Sequence, residues 1–295
     1  MLKKWTAVVC MALAVMLSAC NDFLENEDSN KVQENVDQIQ KYLTTRNLTA
    51  VQDTTGIFYI MQKTNPSGQK AQIGDEASIY FRMYTLDGAL LDSTETLKQK
   101  PLVFPVGTGL QLIIPGMELA AFRLLRTGEK ATILLPYYLA FGNVDYRNIP
   151  AYSVIRVDME MVGLRTEQQQ IRDYISTKEY TGTEKLANNL HIIRQNTVSG
   201  DSIGAGKTVK VNYSGKLLKG TEFDKGTLEY VTGMGTMIPG FDQGIRKLRT
   251  GEKAVLVFPS SLAYGRSGRI NQQTGQYVIP PFAPLAFEVE VVSVK

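Results

Sequence analysis

The chain contains 295 residues with a formal net charge of +3, and 43% of its residues are hydrophobic. This length exceeds that of one typical domain and predicts two. The small net charge and the lack of a long basic run argue against a nucleic-acid-binding protein, since such proteins present a concentrated basic surface.

The first 20 residues have the pattern of a targeting segment rather than of a folded domain. Lys3 and Lys4 precede an apolar run from Trp5 to Leu17, which is too short for a comfortable membrane span. The run leads into Leu-Ser-Ala-Cys, which resembles the lipobox of bacterial lipoproteins. The resemblance implies that Cys20 is lipidated and becomes the mature N-terminus, with an ordinary secretory signal as the alternative.

A lipidated Cys20 predicts both a location and a source of stability. The protein would be anchored in the cell envelope, on the periplasmic side of the inner or outer membrane, with the acidic residues 21–30 as a tether. The other cysteine, Cys10, would leave with the signal. The exported chain would then lack disulfides and depend on its hydrophobic core.

The rest of the chain repeats itself once. Residues 124–136 read LLRTGEKATILLP, and residues 247–259 read KLRTGEKAVLVFP. Similar leaders, IQKYLTT at 39–45 and IRDYIST at 171–177, begin the two copies. Two copies favour tandem domains over a solenoid. The predicted domains are residues 31–164 and 165–295.

Most of each copy has the pattern of β-strands. Apolar and polar residues alternate at 78–83, 209–213 and 285–291, which predicts strands with one buried face. The dipeptide at 87–88, Asp-Gly, predicts a turn between two such runs.

One helix in each copy follows an Ile-Pro-Gly tripeptide. In the second copy Phe241, Ile245 and Leu248 form an apolar stripe after Pro239, and proline is well suited to a helix start. The predicted class is therefore α+β: two tandem domains, each a curved antiparallel sheet wrapped on one short helix and preceded by a leader helix.

The second copy contains seven short motifs in a fixed order. These are VNYSG at 211–215, FD at 223–224, GTMIPGF at 235–241, RTGEKA at 249–254, LAYG at 262–265, VIPP at 278–281 and LAFEV at 285–289. In their order and spacing these motifs resemble the FKBP-type peptidyl-prolyl cis-trans isomerase family over nearly the full length of the copy. Gliding-associated lipoproteins of some bacteria resemble this family as well.

The resemblance implies an enzyme that turns X–Pro peptide bonds. The barrier to this rotation is about 18–20 kcal/mol, because the amide has partial double-bond character. No covalent bond breaks, so the site needs only to bind the twisted amide better than the planar one. An apolar pocket that desolvates the carbonyl, together with a few fixed polar groups, would do so.

The resemblance also implies the site residues. Tyr213, Phe223, Phe241 and Phe287 would form the pocket walls, with Phe241 at a floor position where the family usually has tryptophan. This departure implies a shallower floor, retained activity and altered affinity for macrolide inhibitors such as tacrolimus. The rim would consist of Met237, Ile238, Val278 and Ile279.

Three polar groups would orient the peptide in the implied site. The backbone N–H of Ile238 would donate to a ligand carbonyl, and Tyr264 would donate its hydroxyl. Asp224 would be a polar wall residue held by hydrogen bonds and not a general base. A polar, flexible insertion at 271–277 is either a surface decoration or a specificity element.

The first copy has the frame of the domain without the pocket. The five ring positions of the second copy (213, 223, 241, 264 and 287) correspond to smaller or less polar residues, although Asp92, Ile114 and Ile149 are kept. Its helix is one residue longer, and one residue turns a helix by about 100°. The copy is therefore interpreted as a weak or inactive isomerase, or as a peptide-binding or dimerisation module. The five residues are Phe81, Leu91, Met117, Phe141 and Val157.

The predicted function is a membrane-tethered isomerase that assists the folding of exported proteins, with its activity mainly in the second domain. The alternative is a non-catalytic peptide-binding chaperone or a component of envelope or gliding machinery. The partners are proline-containing polypeptides, and homo-oligomerisation is left open. No pattern indicates a cofactor or a metal, and the single histidine, His191, is interpreted as a packing residue.

Overall fold

A computed structural model of the chain describes residues 29–94, 100–108 and 113–295. The predicted signal segment with Cys20, and the predicted tether up to residue 28, lie outside the described residues. Residues 29 and 30 of that tether belong to a helix, α1, that includes residues 29–45. No helix in the described part of the chain is both long enough and apolar enough to cross a membrane.

The chain forms two compact units, which confirms the tandem arrangement of the α+β class. The first unit is drawn from residues 1–70, 78–102 and 111–162, and the second from 71–77, 103–110 and 163–295, as far as these are described. The division before residue 163 lies close to the repeat boundary, while two short segments from within the first copy group with the second unit.

The first sheet is antiparallel in its registered pairs and has the strand order β1-β2-β6-β7-β3-β4, with β5 paired to β3. The predicted turn at 87–88 connects β3 to β4. The elements are β1 Val51–Gln52, β2 Phe58–Lys63, β3 Glu76–Thr85, β4 Leu90–Ser93, β5 Leu102–Pro105, α2 Pro115–Leu119, β6 Lys130–Leu135, a 3₁₀ turn Tyr137–Leu139 and β7 Ile155–Arg165.

The second sheet repeats this plan with the order β11-β10-β15-β12-β9-β8, and β13 and β14 form a separate hairpin. All its pairs are antiparallel. The elements are α3 Glu167–Thr177, β8 Glu184–Lys185, β9 His191–Arg194, β10 Thr208–Leu217, β11 Glu222–Val231, α4 Pro239–Arg246, β12 Lys253–Phe258, a 3₁₀ turn Ser260–Leu262, β13 Arg269–Ile270, β14 Tyr277–Ile279 and β15 Leu285–Val294.

Strand β12 is buried on both faces, because a helix covers each side of the second sheet. Leu256 and Phe258 belong to the core that includes α4, whereas Val255 and Val257 belong to the core that includes α3. Helix α4 lies directly on the strand, since a Cβ atom at Gly240 would come within 2.4 Å of the Phe258 ring. Glycine at this position therefore allows the first turn of α4 to approach strand β12 closely.

The leader helices pack on the sheets of their own units. Helix α1 packs Ile39 and Tyr42 against Phe58, and α3 packs Ile171 and Tyr174 in the core that contains Val255 and Val257. Helix α3 begins with a capping box, in which the side chains at its N-cap and third residue satisfy each other's backbone N–H groups. Each sheet is thereby covered on the face opposite its central helix.

The extra residue in the first unit's helix is accommodated by a change of helix type. The α-helical turn Pro115–Leu119 continues as a π-helix over Ala120–Leu124. A π-helical turn holds one more residue than an α-helical turn and occurs often near functional sites. The insertion is absorbed after Met117, so Met117 stays buried with Ala120 and Ala121.

Candidate functional site

Four aromatic side chains converge between helix α4 and the second sheet. The Phe287 ring is the centre of the group: its centroid lies 5.3 Å from that of Phe241, 5.6 Å from that of Phe223 and 6.4 Å from that of Tyr213. The first two contacts are edge-to-face, the arrangement that aromatic quadrupoles favour. The structure thus brings together the four residues predicted as pocket walls.

The close approach of these rings depends on Gly215 in strand β10. A Cβ atom at this position would lie 2.7 Å from both the Phe223 and the Phe287 rings. Gly215 is opposite Asp224 in the β10–β11 register and opposite Phe287 in the β10–β15 register. The missing side chain leaves the space in which the two rings meet over the sheet.

The floor of the ring cluster is formed at the start of helix α4. Phe241 is buried in the first turn of the helix, where Pro239 fixes the entry. Ile238 is the N-cap, and its carbonyl accepts hydrogen bonds from the N–H groups of Phe241 and Asp242. The N–H of Ile238 donates to no acceptor among the described residues, so it is available to a ligand.

The polar wall consists of Asp224 and an arginine from the inserted hairpin. Arg269 Nη1 lies 3.7 Å from Asp224 Oδ2, and both side chains remain partly exposed. Burial, and then the charge of the neighbouring Asp224, raise the pKa of Tyr213. Tyr213 therefore keeps its hydroxyl proton at neutral pH and can donate it in a hydrogen bond.

Tyr264 lies in a tight turn that follows strand β12. The Ser260 carbonyl accepts hydrogen bonds from the N–H groups of Ala263 (2.8 Å) and Gly265 (2.9 Å), on either side of Tyr264. The Tyr264 side chain is partly buried against the same core as the four rings. Met237, Ile238, Val278 and Ile279 also pack against this core.

The insertion at 271–277 has side-chain-to-backbone hydrogen bonds of its own. It closes the β13–β14 hairpin, in which Asn271 Oδ1 accepts from the N–H groups of Gln273 (2.8 Å) and Thr274 (3.2 Å). In such a turn the asparagine side chain takes the place of a backbone carbonyl. Side-chain-to-backbone hydrogen bonds thus define the conformation of the hairpin tip, and its flexibility stays a prediction.

Several contributors to the site were missed from the sequence. Phe258 stacks on Phe287 with centroids 5.8 Å apart, Tyr230 lies 6.1 Å from Phe241, and Arg269 pairs with Asp224. Phe258 ends a continuous apolar run, and Tyr230 is the only buried residue of strand β11, so the sequence marks them at most as core residues. Arg269 carries no local signal for its pairing.

The corresponding region of the first unit is an open cavity of about 1030 Å³. Phe81, Leu91, Met117 and Phe141 line it, while Val157 is fully buried and does not. The Phe141 ring stacks on Tyr146 with centroids 5.0 Å apart. The cavity has a mixed polar and apolar lining, which includes Asp92 and Arg147, and it lacks the ring cluster of the second unit.

Comparison with known proteins identifies the family from the sequence. The sequence model of the FKBP-type peptidyl-prolyl cis-trans isomerase family matches residues 67–162 and 200–292. The human "Peptidyl-prolyl cis-trans isomerase FKBP9" is 30% identical over 227 residues, which are 75% of this chain and 35% of that protein. The chain thus spans about a third of the length of this relative.

A second relative matches one domain, and a solved structure matches more of the chain. The "Peptidyl-prolyl cis-trans isomerase FPR2" of Saccharomyces cerevisiae is 45% identical over 96 residues, 30% of this chain and 67% of that protein. The crystal structure of the three FKBP domains of wheat FKBP73 is 21% identical, with 84% of this chain and 99% of that chain covered and a TM-score of 0.41. Since the family's sequence model matches both repeats, the chain belongs to the FKBP-type peptidyl-prolyl cis-trans isomerase family.

Proposed function

We propose that this protein is a peptidyl-prolyl cis-trans isomerase whose activity resides mainly in its second unit. The observation that carries the proposal is the ring cluster of Tyr213, Phe223, Phe241 and Phe287 beside the unsatisfied N–H of Ile238. The first unit lacks this cluster. Both units belong to one family and share its fold. They differ in the side chains of the site, and we therefore assign the activity to the second unit.

In this proposal the aromatic rings bind the prolyl ring of the substrate, and the polar groups orient the peptide chain. The apolar cluster excludes water from the prolyl ring and its carbonyl, which weakens the resonance that holds the amide planar. The Ile238 N–H and the Tyr264 hydroxyl donate to peptide carbonyls and fix the chain on either side of the rotating bond. Asp224 supplies negative charge at the wall and transfers no proton.

The test is an isomerase assay on proline-containing peptides with the chain from Asn21 onward. We expect the double variant Phe223→Ala with Tyr264→Phe to lose most of the kcat/KM. The matched control is Leu91→Ala with Phe141→Ala, which changes the corresponding positions of the first unit and should retain the activity. An inactive but folded wild-type chain would contradict the proposal.

A second candidate function, peptide binding without catalysis, is favoured for the first unit. Its cavity has room for a bulky apolar side chain, and Phe141 replaces the hydroxyl donor Tyr264. Titration of a peptide without proline tests this: Met117→Trp should block its binding, while isomerase activity stays unchanged. Equal blocking by Phe241→Trp alone would place the peptide in the second unit instead.

We also propose that Cys20 anchors the protein in a membrane of the cell envelope, where exported chains are its substrates. Leu-Ser-Ala-Cys at 17–20 supports this proposal. Metabolic labelling with an alkyne fatty acid should label the wild type and not Cys20→Ala. Macrolide inhibitors are expected to bind the second unit with altered affinity because of Phe241, which calorimetry against Phe241→Trp would measure.

A further inference from the structure

The second leader helix contacts the turn that carries Tyr264 through one side chain. Glu167, the first residue of α3, accepts a hydrogen bond at Oε2 from the Ser260 N–H (2.9 Å) and one at Oε1 from the Ser260 hydroxyl (2.6 Å). Ser260 is buried, and it begins the 3₁₀ turn after strand β12. A carboxylate with both oxygens so engaged makes strong, charge-assisted hydrogen bonds.

The first unit contains the same contact with a different side chain. Asn35 stands where Glu167 does, four residues before the matching isoleucine of the leader helix. Its Oδ1 accepts a hydrogen bond from the Tyr137 N–H (2.8 Å), and Tyr137 begins the 3₁₀ turn of that unit as Ser260 does in the second. The two units therefore show the contact independently.

The 3₁₀ turns of the two units have the same backbone hydrogen bonds. In the first unit the Tyr137 carbonyl accepts from Ala140 (2.9 Å) and Gly142 (2.9 Å), as the Ser260 carbonyl accepts from Ala263 and Gly265. A single residue at the start of each turn thus makes both contacts. Its N–H donates to the leader helix, and its carbonyl accepts from the residues that flank the site side chain.

From this geometry we infer that the leader helix braces the site, and that Glu167 is a positioning residue for Tyr264. It acts through Ser260 and touches no substrate. The inference rests on the proposed isomerase function only for the role of Tyr264, because the brace itself is defined by the hydrogen bonds of the turn. A short helix on the far side of the sheet would thereby determine how firmly the hydroxyl donor is held.

The first readout of the test is amide hydrogen exchange in the full chain, which is independent of catalysis. Glu167→Ala should speed exchange of the Leu262, Ala263 and Gly265 amides about tenfold, since a buried hydrogen bond to a charged group is lost. Glu167→Gln should restore slow exchange, because its amide oxygen can accept from the Ser260 N–H. Unchanged exchange in a folded Glu167→Ala chain would overturn the inference.

The second readout is isomerase kcat/KM on a proline-containing peptide, at a temperature where every variant is folded. Glu167→Ala should lower it about tenfold, with Glu167→Gln close to wild type. The control is Asp173→Ala, which removes the same charge from the same helix but contacts Arg165 rather than the turn. Faster exchange with unchanged kcat/KM would overturn the positioning role.

Two further outcomes are distinguishable. If Glu167→Ala does not fold, Ser260→Ala removes only the hydroxyl contact and should give a smaller rise in the exchange of the same amides, whereas no rise would overturn the inference. If the wild type has no isomerase activity, the proposed function fails, and exchange alone decides whether the brace exists.

Discussion

The two units build different sites from one backbone plan. Strand β10 of the second unit has Gly215 where strand β3 of the first has Met83, and each is registered opposite an aspartate, Asp224 or Asp92. In the second unit the rings of Phe223 and Phe287 fill the space over the glycine. In the first, Met83 lines an open cavity.

The comparison shows that the side chains at some site positions depend on the residue in the strand beneath them. Two rings can meet at 5.6 Å only where the strand beneath them has no side chain. Where methionine takes the glycine's place, the partner positions are Leu91 and Val157, which leave more room. The glycine and the two rings of the second unit thus have matched counterparts in the first, which are Met83, Leu91 and Val157.

The largest effect expected from breaking this coupling comes from Gly215→Ala. The new Cβ atom would lie 2.7 Å from two rings and would displace them, and a shift of about 1 Å in a site can cost about 100-fold in rate. The kcat/KM for a proline-containing peptide is the measurement. Gly226→Ala is the control, since its Cβ would meet no atom closer than 3.7 Å. Equal effects of the two changes would show that ring contact is unimportant.

The next largest effect is on the free energy of unfolding, and it compares Phe287 of the second unit with Val157, the corresponding residue of the first. Phe287 contacts four rings, so Phe287→Ala should lower the free energy of unfolding of the second unit by about 3–5 kcal/mol. Val157→Ala removes less volume and should cost the first unit less. Urea unfolding followed by NMR signals of each unit would measure both, and similar losses would contradict the central role of Phe287.

A smaller effect is expected from the hairpin that covers the polar wall. Arg269→Met removes the partner of Asp224, and a partly exposed ion pair contributes at most about 1 kcal/mol, so kcat/KM should fall about two- to fivefold. Arg266→Met removes the same charge from the same segment and should have no effect. An equal decrease of kcat/KM in both variants would mean that the net charge of the segment, and not the ion pair of Arg269 with Asp224, is responsible.

Features with a local sequence signal could be predicted, whereas contacts between residues far apart in the chain could not. The strands, the turn at 87–88, the central helix and the four ring positions follow from alternation and short motifs. The pairing of Arg269 with Asp224 and the contact of Glu167 with Ser260 join residues far apart in the chain, and charge or polarity alone does not reveal them. The extra helical residue was visible, but its absorption as a π-helix depends on packing against the sheet.

The smallest expected effect is a difference between the two units in how their stability depends on pH. His191 in strand β9 is opposite Val257, and Phe58 in strand β2 has the equivalent place opposite Leu134. Burial, and then the charge of Lys185, lower the pKa of His191 below its usual 6.5. As the pH falls below about 6.5, the unfolded chain binds a proton that the folded unit still excludes, so the free energy of unfolding should decrease.

His191→Phe tests this difference by giving the second unit the residue of the first. His191 is the chain's single histidine, and its Nδ1 is buried without a partner among the described residues. Between pH 7.5 and 5.5 the Tm of the wild-type second unit should therefore drop more than that of His191→Phe, whereas between pH 8.5 and 7.5 their slopes should agree. Parallel slopes over the acidic range would mean that His191 takes up its proton in the folded unit as readily as in the unfolded chain, and that the two units respond to acid alike.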